Sequence, residues 1–274
     1  MRRRFIVRAV IIFLSFILLG EIIIYFFPSL FLLSLSVLFN TSIATPPPPK
    51  ITVPCGSLPT GVVGLQEWAQ EPNAAYTPIS ASGFLLGLNS QETVGVTTAH
   101  SLFQNNPHRR LTRIGLGING QAFPLAEADA YFGYPGAPES NNDLAIDYIL
   151  LKTKMVNEAY ALSADPRGQP QPGERVVLFS GLGDRHGGAF SWTGTVLSVD
   201  PTAVFIEMDL KNLLTPSGMS GSPVVSQCTG KVVGMVIAAG WQGNRWIIGL
   251  NPIGHIVQIA KDANVFPRMV DYQR

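Results

Sequence analysis

The chain has 274 residues, 46% hydrophobic and only 14% charged, against a usual charged share of about 25%. That shortfall excludes a disordered, solvating chain, and 27 Gly with 21 Pro in no fixed repeat exclude collagen. The net charge of +1 divides unevenly: residues 1–50 hold five Lys/Arg and one Glu (+4), residues 51–274 hold 14 Lys/Arg and 17 Asp/Glu (−3). An acidic body without a basic run argues against nucleic acid as the principal partner.

At the N-terminus Arg2, Arg3, Arg4 and Arg8 precede residues 9–39, an apolar run whose only ionisable groups are Glu21 and Tyr25. A span needs about 20 apolar residues to cross ~30 Å of hydrocarbon, and no soluble core helix is usually so apolar on every face. The run is therefore expected to be a membrane segment. The arginines should stay cytoplasmic and put the body outside. Glu21 is costly at mid-bilayer and Pro28 kinks or splits a helix. Three forms are open: one tilted span, a hairpin turning at Pro28, or a signal peptide cut after Ser42 and Ala44. The length favours an uncleaved anchor over residues 1–45. Residues 46–50, four prolines and Lys50, form a stiff polyproline II spacer. The folded body then occupies residues 51–274. Cys55 and Cys228 are the only cysteines; their bonding depends on the compartment, and two cysteines cannot build a zinc site. No metal or other cofactor is expected.

From residue 61 onward short apolar runs alternate with turn residues. Candidate strands are 61–66, 83–88, 93–98, 113–118, 147–153, 175–179, 193–199, 203–208, 223–226, 231–238 and 246–250. Val, Ile and aromatics dominate them, and spacing of roughly ten residues points to barrels or sandwiches. Residues 253–264 break the pattern, with Ile256, Val257, Ile259 and Ala260 at helical spacing. The body thus reads as all-β with a closing helix.

The chemistry concentrates in Gly218-Met219-Ser220-Gly221-Ser222-Pro223. Serine is a weak nucleophile unless a base and an oxyanion site attend it. A flanking glycine lets backbone N–H groups face the developing charge. The same fragment could also be a plain turn. It lacks the second glycine of an α/β-hydrolase elbow, and only His255 follows it, so the base should lie upstream. Thr97-Thr98-Ala99-His100 ends an apolar strand and aims His100 off a rigid edge, whereas His108 and His186 sit in polar loops.

With an Asp before an apolar strand, these motifs in the order His, Asp, Ser resemble the trypsin-like (chymotrypsin-fold) serine peptidases over residues 60 to 260. The resemblance implies two six-stranded antiparallel β-barrels, at about 58–155 and 170–252, a short C-terminal helix at 253–264, and an active site between the barrels. With the N-terminal transmembrane helix added, the chain becomes a membrane-anchored serine endopeptidase acting on protein or peptide substrates. His100 is the implied base, Ser220 the nucleophile, and the N–H groups of Gly218 and Ser220 the oxyanion donors. Two residues compete for the acid, Asp143 and Asp147. Asp143 as the acid would leave Asp147 uncompensated in a buried strand, which is expensive, so Asp147 is preferred. The spacing from Asp147 to Pro172-Gly173-Glu174-Arg175 resembles bacterial HtrA-like members, although a full HtrA with its peptide-binding domain is not expected from the ten residues after the helix. Met219 stands where digestive members carry the Asp that pairs with a freed N-terminus, so that activation route is not expected. The pocket positions Leu214, Thr215, Ala238 and Ala239 carry no charge, which implies an uncharged P1 side chain. A protease-like binding module without activity is the competing reading.

Overall fold

The computed structural model describes residues 63–89, 92–103, 109–133, 144–154, 158–183, 190–209 and 217–262, all within Pro47–Arg274. The 9–39 run and the proline tract lie outside these residues. Among the described residues no helix is long and apolar enough to cross a membrane.

The first half is built from β1 (Leu65–Gln70), β2 (Thr77–Gly87), β3 (Thr93–Thr97), the short helix α1 (Ala99–Phe103), β4 (Arg113–Gly117), β5 (Ala126–Ala128), β6 (Tyr131–Gly133), β7 (Ile149–Leu151) and β8 (Ala161–Ser163). The strands pair in the order β5-β4-β1-β2-β3-β7-β6. Only Asp129 and Ala130 separate β5 from β6, so the two are halves of one bent strand and the path closes into a barrel. A Glu127–Lys154 bridge and the bond from Lys152 N–H to Ala130 O (3.1 Å) stitch the bend. β8 is a departure from the all-antiparallel expectation: it pairs in parallel with Leu85–Gly87, the end of β2 that β1 leaves uncovered.

The second half is a closed barrel, ordered β10-β11-β14-β13-β12-β9. Its strands are β9 (Arg175–Phe179), β10 (Ser191–Val199), β11 (Val204–Met208), β12 (Pro223–Ser226), β13 (Val232–Gln242) and β14 (Arg245–Pro252). Helix α2 (Ile253–Asp262) follows directly. The ranges 175–179 and 223–226 match β9 and β12. The expected strand at 61–66 is displaced, since β1 runs Leu65–Gln70, and β5, β6 and β8 are too short for alternation to announce them.

The core has three layers, and they explain why β2, β3 and β7 read as unbroken apolar runs. Leu85, Ile149 and Leu151 point into the first barrel with Leu65, Ile114 and Leu116. Their neighbours Phe84, Leu86, Val94, Val96 and Leu150 point outward, but onto Met235, Ile237, Ile253 and Ile256 of the second barrel and α2. Both faces are therefore buried, as a period-2 strand requires if every position is apolar. The second barrel fills its own interior with Val176, Leu178, Val196, Ile206, Val224, Ile248 and Leu250. Each such side chain contributes about 1.5–3 kcal/mol by leaving water.

The segment joining the barrels is fixed by charge. Arg167 donates to Asp165 through Nε (2.9 Å) and Nη2 (2.6 Å), and to Glu174 through Nη1 (3.0 Å) and Nη2 (2.8 Å). Thr229 donates to Asp165 (2.7 Å), and Ser226 of β12 to Glu174. Burial alone would raise both carboxyls, but these donors outweigh it and hold both below their ordinary range. Next to this cluster Cys228 is disulfide-bonded; the chain's other cysteine, Cys55, lies outside the described residues. A carboxyl whose folded pKa is lowered stabilises the fold above its unfolded pKa and loses that contribution as pH falls through the folded value. Arg167→Met should thus cost on the order of 3 kcal/mol at pH 7 by leaving two buried carboxylates unpaired. The difference from wild type should shrink below about pH 4 as those groups protonate. Urea unfolding at the two pH values measures it; an equal loss at both would contradict this account of the cluster.

Candidate active site

Between the barrels three side chains line up. His100 lies in α1, three residues beyond the end of β3 at Thr97, and only 11% of its side chain is exposed. Asp147 stands just before β7 and is fully buried. Its Oδ1 accepts the N–H groups of Ala99 (2.8 Å) and His100 (3.0 Å), capping the first turn of α1, and Oδ2 lies 2.6 Å from His100 Nδ1. An ionised carboxylate only accepts, so Nδ1 carries the ring proton of the neutral imidazole. Nε2 then presents its lone pair to Ser220 Oγ, 2.7 Å away. The alternative acid, Asp143, lies outside the described residues, as do His108, His186, Leu214 and Thr215. His255 is elsewhere: its Nδ1 is 3.1 Å from Asn251 Oδ1 and its ring meets Tyr148 edge-on.

Two glycines shape the turn that carries Ser220. Gly218 and Gly221 have φ of +90° and +83°, a region that L side chains rarely adopt. A Cβ on Gly221 would also fall 1.9 Å from Ser82 O, so no larger residue fits. Met219 is buried inside the second barrel and pins the turn from within. From behind, Val236 of β13 accepts the Gly221 N–H (2.8 Å) and donates to Ser222 O (3.0 Å). Neither the Gly218 nor the Ser220 N–H has an acceptor among the described residues. Ala238 and Ala239 are half-buried on β13, opposite Gly249 and Ile248. Among the described residues no group of three His, Cys, Asp or Glu could hold a metal ion.

Sequence reading missed two residues that hold this arrangement. Ser82 of β2, fully buried, reaches across to the turn that carries Ser220: its N–H donates to Ser220 O (2.9 Å) and its Oγ to Gly218 O (2.7 Å). The same Oγ accepts the Gly181 N–H (3.0 Å), and Thr97 Oγ1 donates to Ser82 O (3.0 Å). Nothing in Ser80-Ala81-Ser82-Gly83 marks one serine over the other. Asn251 is the second: its side chain, also fully buried, donates to Ala145 O (3.0 Å) and steadies the turn before Asp147.

Ser82→Ala should leave Gly218 O and Gly181 N–H buried without a partner, costing about 2–4 kcal/mol. Ser80→Ala, at an exposed position, should change stability by less than about 0.5 kcal/mol. Chemical denaturation of both variants measures the difference; equal stabilities would show that Ser82 does not clasp the turn.

The comparisons with known proteins agree with this layout. A family model described as a trypsin-like peptidase domain matches residues 81–235, more than half the chain and all three aligned side chains. Among solved structures, one described as Kallikrein-related peptidase 10 complex with Zn2+ is similar, at TM-score 0.50 and 16% identity. The match covers 77% of this chain and 98% of that one, and at such identity it speaks for the fold alone. No curated protein matches. On the family match, the chain belongs to the trypsin-like peptidases, with an all-β chymotrypsin-like fold of two barrels and one short C-terminal helix.

Proposed function

We propose that the chain is a serine endopeptidase of bacterial type in which His100, Asp147 and Ser220 act as base, orienting acid and nucleophile. The observation that carries this reading is the continuous line from Asp147 Oδ2 through His100 to Ser220 Oγ, at 2.6 and 2.7 Å. Ser220 Oγ attacks the peptide carbonyl while Nε2 takes its proton, and His100 later returns that proton to the leaving amine. Asp147 holds the tautomer and stabilises the imidazolium. The Gly218 and Ser220 N–H groups receive the oxyanion, a role supported by the positive φ of Gly218 and by its carbonyl being fastened to Ser82. Leu214, Thr215, Ala238 and Ala239 form an uncharged pocket in this reading, so the P1 side chain is small or apolar.

Residues 9–39 anchor the enzyme in a membrane, with the protease domain on the extracytoplasmic side. Their 31-residue apolar length and the preceding arginines support this, and a disulfide at Cys228 suits an oxidising compartment.

Asp147→Asn should keep the fold and lower kcat by about 10⁴-fold, because the carboxylate that selects the tautomer is gone. A peptide-library assay measures this and the P1 preference together; full activity in Asp147→Asn, or dominant cleavage after Arg, Lys or Glu, would sink the respective claim. Alkaline carbonate washing of membranes tests the anchor. The protein should stay with the pellet, and release into the supernatant would contradict a spanning segment.

A further inference from the structure

Glu67 lies in β1, in the inward phase shared with Leu65 and Ala69, and is fully buried. Its Oε1 has no hydrogen-bond partner among the described residues. Its other contacts are two hydroxyls, Ser101 Oγ in α1, 2.8 Å from Oε2, and the side chain of Thr97 at the end of β3. Each hydroxyl has one proton, and each also faces a main-chain carbonyl: Ser101 Oγ is 2.9 Å from Thr98 O, and Thr97 Oγ1 is 3.0 Å from Ser82 O. With its proton given to Thr98 O, the Ser101 hydroxyl can only accept from Glu67 Oε2, a bond that the single proton of a carboxylic acid can make. A carboxylate offers nothing to donate, whereas a carboxylic acid does.

The titratable groups facing Glu67 are His100 from α1 and Arg109 from the following loop. Both favour the anion, but neither bonds it. Arg109 is engaged by Glu71 (2.8 Å) and by Leu102 O (3.3 Å), and His100 by Asp147 and Ser220. Burial outweighs these and the Ser101 and Thr97 hydroxyls, which would also favour the anion, and raises the Glu67 carboxyl to about 8.

We propose that Glu67 is a positioning residue that works as a neutral acid, its proton completing the network that holds the His100 turn and the Ser82 strand together, so that ionising it disables the site. The proposal rests on the serine-peptidase reading above. When Glu67 ionises, the carboxylate draws the Ser101 and Thr97 protons to itself. Thr98 O then loses the Ser101 hydroxyl and Ser82 O loses the Thr97 hydroxyl, and these carbonyls flank His100 on one side and the clasp on Ser220 on the other.

The test is the pH profile of kcat/KM for the full-length protein. Wild type should fall along a single-proton limb near pH 8, about tenfold lower at pH 9 than at pH 7. Glu67→Gln, whose amide still donates, should stay flat over the same range; an identical limb in Glu67→Gln overturns the proposal. A second measurement needs no catalysis. In Ser220→Ala labelled with ¹³C at glutamate carboxyls, one signal should titrate near pH 8 and vanish on adding Glu67→Gln. If every glutamate carboxyl is already ionised at pH 6, Glu67 is not a neutral acid. A titrating signal in a protein that cleaves nothing would separate failure of the peptidase reading from failure of this one.

Discussion

The arrangement depends on a clasp at one buried serine. The two barrels are each stiff, so the distance between His100 on the first and Ser220 on the second is decided where they meet. At that junction Ser82 of the first barrel binds Ser220 O and Gly218 O on either side of Met219. The support is reciprocal, because Asn251 of the second barrel holds Ala145 O, two residues before Asp147 on the first. Each barrel thus fixes the turn that belongs to the other, and the Ser220–His100 separation of 2.7 Å follows from both.

Buried carboxyls are handled in three different ways. Asp147 is an anion satisfied by two main-chain N–H groups and an imidazole. Asp165 and Glu174 share the guanidinium of Arg167, which outweighs their desolvation. Glu67 has no bonded cation and no N–H donor, and burial leaves it the neutral form at neutral pH. The first treatment orients the His100 imidazole, the second secures the joint between barrels, and the third ties the His100 turn to the clasp. Burying an acid costs energy unless its surroundings supply donors, and where they do not, the acid keeps its proton.

Much of this was legible in the residues. The alternation of short Val- and Ile-rich runs with turns gave the barrels, and the motifs around His100, Asp147 and Ser220 pointed to side chains that the fold brings within hydrogen-bond reach. The burial-cost reasoning that preferred Asp147 over Asp143 rests on the same physics as the N–H groups found around it. What stayed hidden was long-range or short. β5, β6 and β8 have three residues each and carry no period. Ser82 lies 136 residues from the carbonyl it binds, and nothing local distinguishes it from Ser80. Glu67 did leave a signal, a carboxyl in the inward phase of Leu65 and Ala69, but the strand was expected to end at residue 66.

The central claim is that Ser220 is made nucleophilic by His100. Treating the intact protein with a fluorophosphonate at pH 7.5 and mapping the adduct by mass spectrometry tests it most directly. The account predicts one stoichiometric adduct, on Ser220, that is lost in His100→Ala while the fold persists by circular dichroism. No adduct on wild type, or equal labelling of Ser220 without His100, would contradict it.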